Sequence, residues 1–470
     1  MSQIKFGTDG WRAIIAREFT FETCAPVAQG IANYVNCQNL KKKGIIIGYD
    51  NRFLSRDFAR ECARVLVGNG ISVFLFRKVS PTPLTAFAIR RLEAGGAIML
   101  TASHNPPEYN GIKFITEYAC PALPEVTEEI ESKINRVLAG GKVYELNLDE
   151  AEQLGLFEEI DLEREYINHL MSIINRDCFK NGKIKVVVDP MFGAGVGYLD
   201  RILAELGCEV RAINNFRDTL FGGTMPEPTD KNLSDLKRAV LSYNADIGLA
   251  MDGDADRFGI IDENGEFVTA NCFLSLLLNH LLKTRNFRGP VCRSLATTHM
   301  LDRIAHKNGL SIIETPVGFK YIGEALREKG CILGGEESGG LSILGHVPEK
   351  DGILACLLAV EILAYSGKSI TELIQELKEL YGTIVSERLD IPIKDKDIEK
   401  KIKAYKPKDI NGIKVESVID TEGRKILLGD GSWILMRVSG TEPVVRLYIE
   451  ANSREQLENM KFEVRQALGI

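Results

Sequence analysis

The sequence predicts an α/β protein of three successive α/β units with mixed, mainly parallel sheets, followed by a smaller C-terminal α+β domain. Three observations carry this. Residues 1–140 alternate short apolar strand candidates with stretches of helical spacing, the pattern of a mainly parallel sheet covered by helices. The alternation restarts at Ile184 and again near Gly289. The texture then changes near Val385, where a charged, mixed-sign stretch precedes short strand candidates and a closing helix. The expected domains are 1–150, 151–285, 286–384 and 385–470. A chain of 470 residues has room for three or four domains of ~100–200 residues each.

Taken in order, Phe6-Gly7-Thr8-Asp9-Gly10-Trp11-Arg12 is a Gly-rich loop ending on an arginine. A strand at 44–48 precedes a helix at 56–67, which Asn69-Gly70 ends. A strand at 71–76 and a helix at 83–92 follow. Ala97-Ile98-Met99-Leu100 reads as a buried strand, and 162–174 as a connecting helix. The second unit opens on Ile184-Lys185-Val186-Val187-Val188-Asp189. Gly193-Ala194-Gly195-Val196-Gly197 comes next. Its spacing fits neither nucleotide-loop pattern, so it is expected to be a tight turn into a helix. A buried strand at 245–251 leads to a hairpin of 257–261 and 266–269 around Asn264-Gly265. The third unit holds Thr315-Pro316-Val317-Gly318-Phe319-Lys320 and Cys331-Ile332-Leu333, and an apolar helix after Asp351 packs it. In the last unit, 394–408 reads as a solvated helix face and loop. A strand at 432–436 and a helix at 454–468 close the chain. No fixed short period repeats along the sequence.

Composition narrows the partners. Hydrophobic content of 45% and charged content of 26% are those of an ordinary globular protein. The net charge of −7 argues against nucleic acid or an anionic membrane as partner. An anionic small substrate would therefore need locally concentrated Arg and Lys. The ten cysteines form no C-x-x-C pair and are expected to be reduced and mostly buried. The N-terminus has no apolar signal core, and the apolar stretch 352–365, interrupted by Glu361, is too short for a bilayer. The expectation is a cytoplasmic protein, monomer or homodimer.

Four loops carry the chemistry. Thr101-Ala102-Ser103-His104-Asn105-Pro106 presents a serine at the carboxyl end of a strand, the edge where open α/β sheets bind ligands. Ser103 reads as a phosphoryl carrier. His104 is its neighbour, and neighbours in extended chain point apart, so His104 is expected to be a poor base for Ser103. Asp252-Gly253-Asp254-Ala255-Asp256-Arg257 places three carboxylates at alternate positions, where they repel unless a cation neutralises them. Hard oxygen ligands suit Mg²⁺. An EF-hand is rejected, because its sixth position would be Arg257 and its twelfth, Glu263, falls in a hairpin turn. Gly334-Gly335-Glu336-Glu337-Ser338-Gly339-Gly340 offers carboxylates and a hydroxyl to sugar hydroxyls, on a backbone that permits close approach. Arg437-Val438-Ser439-Gly440-Thr441, with Arg446 in the next strand, suits a phosphate dianion. The G-x-S-x-G hydrolase pattern is absent.

These four loops, in this order, resemble the phosphoserine, metal, sugar and phosphate loops of the α-D-phosphohexomutases, the phosphoglucomutase/phosphomannomutase superfamily. The resemblance spans essentially the whole chain. It implies that the three α/β domains are related and that all four surround one cleft. It implies a phosphoserine enzyme that interconverts hexose 1- and 6-phosphates, with Mg²⁺ as cofactor and a hexose 1,6-bisphosphate as intermediate and activator. The residues implied at the reacting centre are Ser103, Lys113, Arg12, His104 and Arg257, with Ser103, Asp252, Asp254 and Asp256 around the metal. Glu336, Ser338, Lys320, Arg293, Arg437, Ser439, Gly440, Thr441 and Arg446 are implied for the substrate. Cys292-Arg293-Ser294-Leu295, Pro316-Val317-Gly318-Phe319-Lys320 and Glu349-Lys350-Asp351-Gly352 resemble phosphoglucomutases within the superfamily, so glucose phosphate is expected, with mannose phosphate the alternative. More remote are a phosphoserine-dependent phosphatase and a non-catalytic sugar-phosphate sensor. One departure stands out. Bacterial dual-specificity and glucosamine mutases commonly have His where this chain has Gly340, which makes Lys113 and Lys320 the expected polar groups near the reacting phosphate.

Overall fold

The computed structural model describes residues 4–6, 10–181, 183–440 and 443–470. Gly7, Thr8 and Asp9 of the first loop, and Thr441 of the phosphate loop, lie outside them.

The first three sheets follow one plan. In the first, Ile45–Tyr49, Val73–Phe76, Gly96–Leu100 and Phe157–Ile160 run parallel. Tyr109–Thr116 and Trp11–Ile14 add an antiparallel edge. The second sheet has Lys185–Asp189, Glu209–Ala212 and Ile247–Met251 in parallel. Phe258–Ile261 and Phe267–Val268 form its antiparallel edge, the expected hairpin. In the third, Val291–Ser294 lies parallel to Ile312–Thr315 and Leu333–Gly335, and Leu341–Ile343 returns antiparallel. Several of the parallel strands are apolar runs buried along their whole length, as covering on both faces requires.

The plan puts three of the loops at equivalent places. Each leaves the carboxyl end of a parallel strand and returns at once as the antiparallel neighbour. The serine loop joins Gly96–Leu100 to Tyr109–Thr116, with Leu100 opposite Ile112. The metal loop joins Ile247–Met251 to Phe258–Ile261, with Met251 opposite Phe258. The sugar loop joins Leu333–Gly335 to Leu341–Ile343, with Gly335 opposite Leu341.

The C-terminal domain differs. Its strands run antiparallel, with Val385–Pro392, Val444–Ala451, Trp433–Val438, Arg424–Leu428 and Ile413–Ile419 as successive neighbours. The helices Ile398–Ala404 and Arg454–Leu468 pack on it. Within the charged stretch, the helix buries Ile398 and Ile402 on one face and leaves Glu399, Lys400, Lys401 and Lys403 on the solvated face that the sequence predicts.

One continuous core runs through the first three domains, with the helix Gly352–Ser366 inside it. The fourth domain has its own core and meets the third through Leu295, Ala296, Trp433, Leu435 and Tyr448. All ten cysteines are free thiols, and seven of them are buried. No single helix among the described residues is long and apolar enough to cross a membrane.

Candidate active site

The serine and metal loops meet at one contact. Ser103 Oγ donates to Asp252 Oδ2 at 2.9 Å, and both residues are buried. Ser103 adopts the left-handed conformation, φ +51°, which a residue with a side chain takes up only where its surroundings hold it. Its N–H donates to Thr101 Oγ1 at 2.8 Å. This conformation also corrects one expectation. The backbone here is not extended, so Ser103 and His104 do not point apart. His104 Nδ1 lies 3.4 Å from Ser103 Oγ. Burial, reinforced by the positive charges of Arg257 and Arg12, holds the imidazole well below its ordinary pKa and therefore neutral.

Asp252, Asp254 and Asp256 each present a carboxylate oxygen within 4.8 Å of the others. All three are buried. Asp252 Oδ1 accepts the N–H groups of Asp256 and Arg257 at 2.9 and 3.0 Å, which curls the loop round this carboxylate. Asp254 Oδ2 accepts from Thr82 Oγ1 and Lys113 Nζ, both at 2.7 Å. Asp256 Oδ2 lies 3.3 Å from Lys113 Nζ and 3.2 Å from Lys350 Nζ. Burial and its two acidic neighbours push the Asp252 carboxyl well above its usual range. Burial acts the same way on Asp254, but the Lys113 ammonium outweighs it and holds that carboxyl ionised.

Asp254 Oδ1 and Asp256 Oδ1 are buried with no hydrogen-bond partner among the described residues. A buried carboxylate oxygen without a donor is costly. Two of them, beside Asp252 and the Ser103 hydroxyl, make a hard-oxygen set that fits a divalent cation.

Lys113 reaches this cluster from the strand Tyr109–Thr116. Arg12 extends from Trp11–Ile14, opposite Gly111, and its Nη1 donates to Asn105 Oδ1 at 2.8 Å. Arg257 is half-buried, with Nη1 3.8 Å from Glu227 Oε1. In the sugar loop, the Glu336 N–H donates to Gly340 O at 2.9 Å, and Glu336 Oε1 accepts from Gly318 N at 2.8 Å. Burial, with Glu337 next to it, pushes the Glu336 carboxyl up to about 7 against the opposing charge of Lys350. Ser338 is half-buried in the following turn.

In the fourth domain, Arg437 and Arg446 face each other across two antiparallel strands. Like charges placed opposite in a sheet repel, and Arg437 Nη1 is buried without a partner among the described residues. Asp390 offsets part of this charge, 3.8 Å from Arg446. Ser439 is buried and its N–H donates to Val444 O at 2.9 Å. Gly440 is exposed, with open space where a side chain would begin. This hairpin end is a basic corner with room for an anion.

Arg293 departs from expectation. Its guanidinium is bidentate to Asp302 at 2.6 and 2.8 Å and reaches Glu314 at 2.6 Å. Glu314 also takes Lys425 Nζ, from the fourth domain, at 2.9 Å. Arg293 is thus committed to the seam between the third and fourth domains rather than to a substrate phosphate. Lys320 is the second residue of the helix Phe319–Lys329 and stands over the ring of Tyr321, 5.3 Å from its centre. The carboxylate cluster receives Lys350 instead, which also lies 2.9 Å from Glu349. A Cβ on Gly340 would come within 2.5 Å of Lys350 Cδ, so the lysine fills the corner that a histidine side chain at 340 would enter. Thr82 was likewise missed. Its signal was a hydroxyl after Ser80-Pro81, and nothing in the sequence ties that turn to Asp254.

Comparison with known proteins finds matches along nearly the whole chain. Residues 3–139, 164–265 and 269–381 match the phosphoglucomutase/phosphomannomutase alpha/beta/alpha domains I, II and III. Residues 390–467 match the C-terminal domain of the same family. A phosphoglucomutase/phosphomannomutase of Thermococcus kodakarensis is 33% identical, with 96% of this chain and 95% of that protein aligned. A Pyrococcus abyssi protein named as a phosphoglucosamine mutase is also 33% identical, over 97% and 95%. A crystal structure described as a phosphomannomutase, from Thermus thermophilus, superposes with a TM-score of 0.86 at 33% identity over the whole of both chains.

Proposed function

The chain belongs to the phosphoglucomutase/phosphomannomutase family, and from that premise we propose that it interconverts glucose 1-phosphate and glucose 6-phosphate through a phosphorylated Ser103. The observation that carries this reading is the contact of Ser103 with Asp252 inside a buried carboxylate cluster with two unpartnered oxygens.

Phosphorylated Ser103 passes its phosphoryl group to the free hydroxyl of a bound hexose phosphate. The bond from phosphorus to Ser103 Oγ breaks as the bond to the sugar oxygen forms. The departing Ser103 Oγ takes up the proton that the sugar hydroxyl loses, and His104 Nδ1, 3.4 Å from that oxygen, is placed to hydrogen-bond it. The product is a hexose 1,6-bisphosphate. After it turns over in the cleft, its other phosphoryl group returns to Ser103, so no phosphate is lost. Lys113 and Lys350 offset the developing charge, with Arg12 and Arg257 assisting. Asp252, Asp254 and Asp256, with Ser103 Oγ, would hold Mg²⁺, which when bound neutralises charge on the moving group. Glu336 and Ser338 take the sugar hydroxyls. Arg437, Arg446, Ser439 and Gly440, with Thr441, grip the phosphate that is not reacting.

Glucose and mannose differ at C2 alone. A substrate that binds in two flipped orientations meets different groups with C2 in each, so a dedicated C2 contact could serve one orientation and clash in the other. Glucose phosphate is the expected substrate, with mannose phosphate turned over within about a hundred-fold of it, the range of one lost polar contact. Glucosamine phosphate is the other competitor, from relatives named for it. The test is kcat/KM for the three 1-phosphates with trace bisphosphate. A mannose or glucosamine preference would overturn the sugar assignment. Free phosphate in place of a 6-phosphate would overturn the mutase reading in favour of a phosphatase.

A further inference from the structure

Arg52 is 0% exposed and lies behind the serine loop. Its five N–H groups all have acceptors. Nε donates to Asp50 Oδ2 at 3.2 Å. Nη1 donates to the carbonyls of Pro106 and Tyr109 at 2.7 and 2.9 Å. Nη2 donates to those of Ser103 and Asn105 at 2.7 and 2.6 Å. The loop thus curls its carbonyls round one guanidinium, which has the number and planar spread of donors to hold four of them. One of the four belongs to Ser103, whose left-handed conformation needs an external hold.

The same segment reaches the second domain. The ring of Phe221 stacks on Arg52 at 5.0 Å. Asn51 Nδ2 donates to the carbonyls of Phe192 and Gly193 at 2.8 and 2.7 Å. Gly193 backs the metal loop. A Cβ there would lie 2.8 Å from Gly253 O, and Ala194 N donates to that oxygen at 2.9 Å. A Cβ on Gly253 would come within 2.5 Å of Ser103 O, the carbonyl that Arg52 holds.

We propose that Arg52 is a positioning residue for phosphoryl transfer, fixing Ser103 Oγ against the aspartate cluster through the backbone of the serine loop. Asp50 orients the guanidinium, and Asn51 ties the same turn to the metal loop. The fork ends on Asp50 and on backbone carbonyls, with Arg52 0% exposed. The inference rests on Ser103 being the phosphoryl carrier.

The test compares Arg52→Lys with wild type and with Ser103→Ala in the full-length, Mg²⁺-loaded protein. Lysine keeps the charge but cannot span four carbonyls. Arg52→Lys is expected to lower kcat and the single-turnover rate of transfer from phosphoenzyme to glucose 1-phosphate by ~100-fold, the scale of a misplaced reacting atom. The KM for glucose 1-phosphate should stay within about threefold, because substrate binding is untouched. Circular dichroism and thermal melting verify the fold. A folded Arg52→Lys protein with unchanged kcat, or with its loss confined to KM, overturns the proposal. If Arg52→Lys does not fold, Asp50→Asn decides. It removes the charge that aims the guanidinium and is expected to lower kcat about tenfold at constant KM, a misplacement smaller than the full one. Unchanged kcat in that variant overturns the proposal. Activity in Ser103→Ala would overturn the underlying mechanism instead, so the two failures are distinct.

Discussion

At the scale of single residues, the corner between Gly340 and Lys350 shows how this chain differs from relatives with a histidine. Lys350 reaches Asp256 and Glu349 there because Gly340 has no side chain. Replacing Lys350 by Ala removes a charge-assisted contact of roughly 1.5–3 kcal/mol, so kcat/KM should fall about ten- to hundred-fold. Gly340→His should have a similar effect by displacing the lysine. Steady-state kinetics on both variants checks this. Glu336 sets a pH dependence. Its carboxyl, raised to about 7 by burial and by Glu337, gains a proton as pH falls through that value and ceases to be a full acceptor for sugar hydroxyls. kcat/KM should therefore decline on the acid side of about 7, and Glu336→Gln should flatten that limb. Ser103 and the three aspartates, which the fold brings into one buried cluster, could be picked out in the sequence because each lies in a short motif whose residue types match one chemistry. Lys350 was legible only as part of a resembling stretch. Arg293 was misread because the carboxylates that claim it, Asp302 and Glu314, stand nine and twenty-one positions further along the chain, beyond the reach of any local motif.

Among the elements, the helix Gly352–Ser366 shows what pattern reading captures and what it leaves out. Its apolar length was plain in the sequence, and every residue from Gly352 to Leu363 is buried. Glu361 broke the pattern without explanation. In the fold it accepts two contacts from Arg285 Nη2 at 2.7 Å, one from His280 at 2.8 Å and one from Asn175 N at 2.8 Å. Burial opposes its charge, but the His280 hydrogen bond and Arg285 outweigh it and hold the carboxyl below its usual range. Its contribution to stability is therefore present above the ordinary carboxylate pKa and is lost as pH falls through the depressed value. Glu361→Gln should cost about 3 kcal/mol, because it leaves Arg285 without its counter-charge. Denaturant unfolding of the variant checks the figure. Strand and helix alternation was likewise legible, since each period reports on one face of one element. The equivalence of the serine, metal and sugar loops was not. It resides in strand order and register, which three sheets share without a common sequence repeat.

For the whole molecule, the serine and metal loops of two sheets meet through Ser103 Oγ and Asp252, and the sugar loop of a third reaches the metal loop where the Phe258 N–H donates to Gly339 O at 3.2 Å. Each loop alone is a polar turn. The joined serine and metal loops leave two aspartate oxygens buried without partners among the described residues, and a cation that satisfies them should stabilise the assembly. Mg²⁺ at about a hundred times its Kd should add about 2.7 kcal/mol of stability if it binds the folded protein alone. Thermal melting with and without a chelator measures this, and exhaustive chelation should abolish turnover. The most direct test of the central claim follows the phosphoryl group itself. The enzyme is phosphorylated with labelled hexose 1,6-bisphosphate, digested, and the labelled peptide sequenced, while a second portion is chased with unlabelled glucose 1-phosphate. Label on Ser103 alone, chased into sugar phosphate without release of free phosphate, is the predicted result. Label on another residue, or full activity in a folded Ser103→Ala protein, would contradict it.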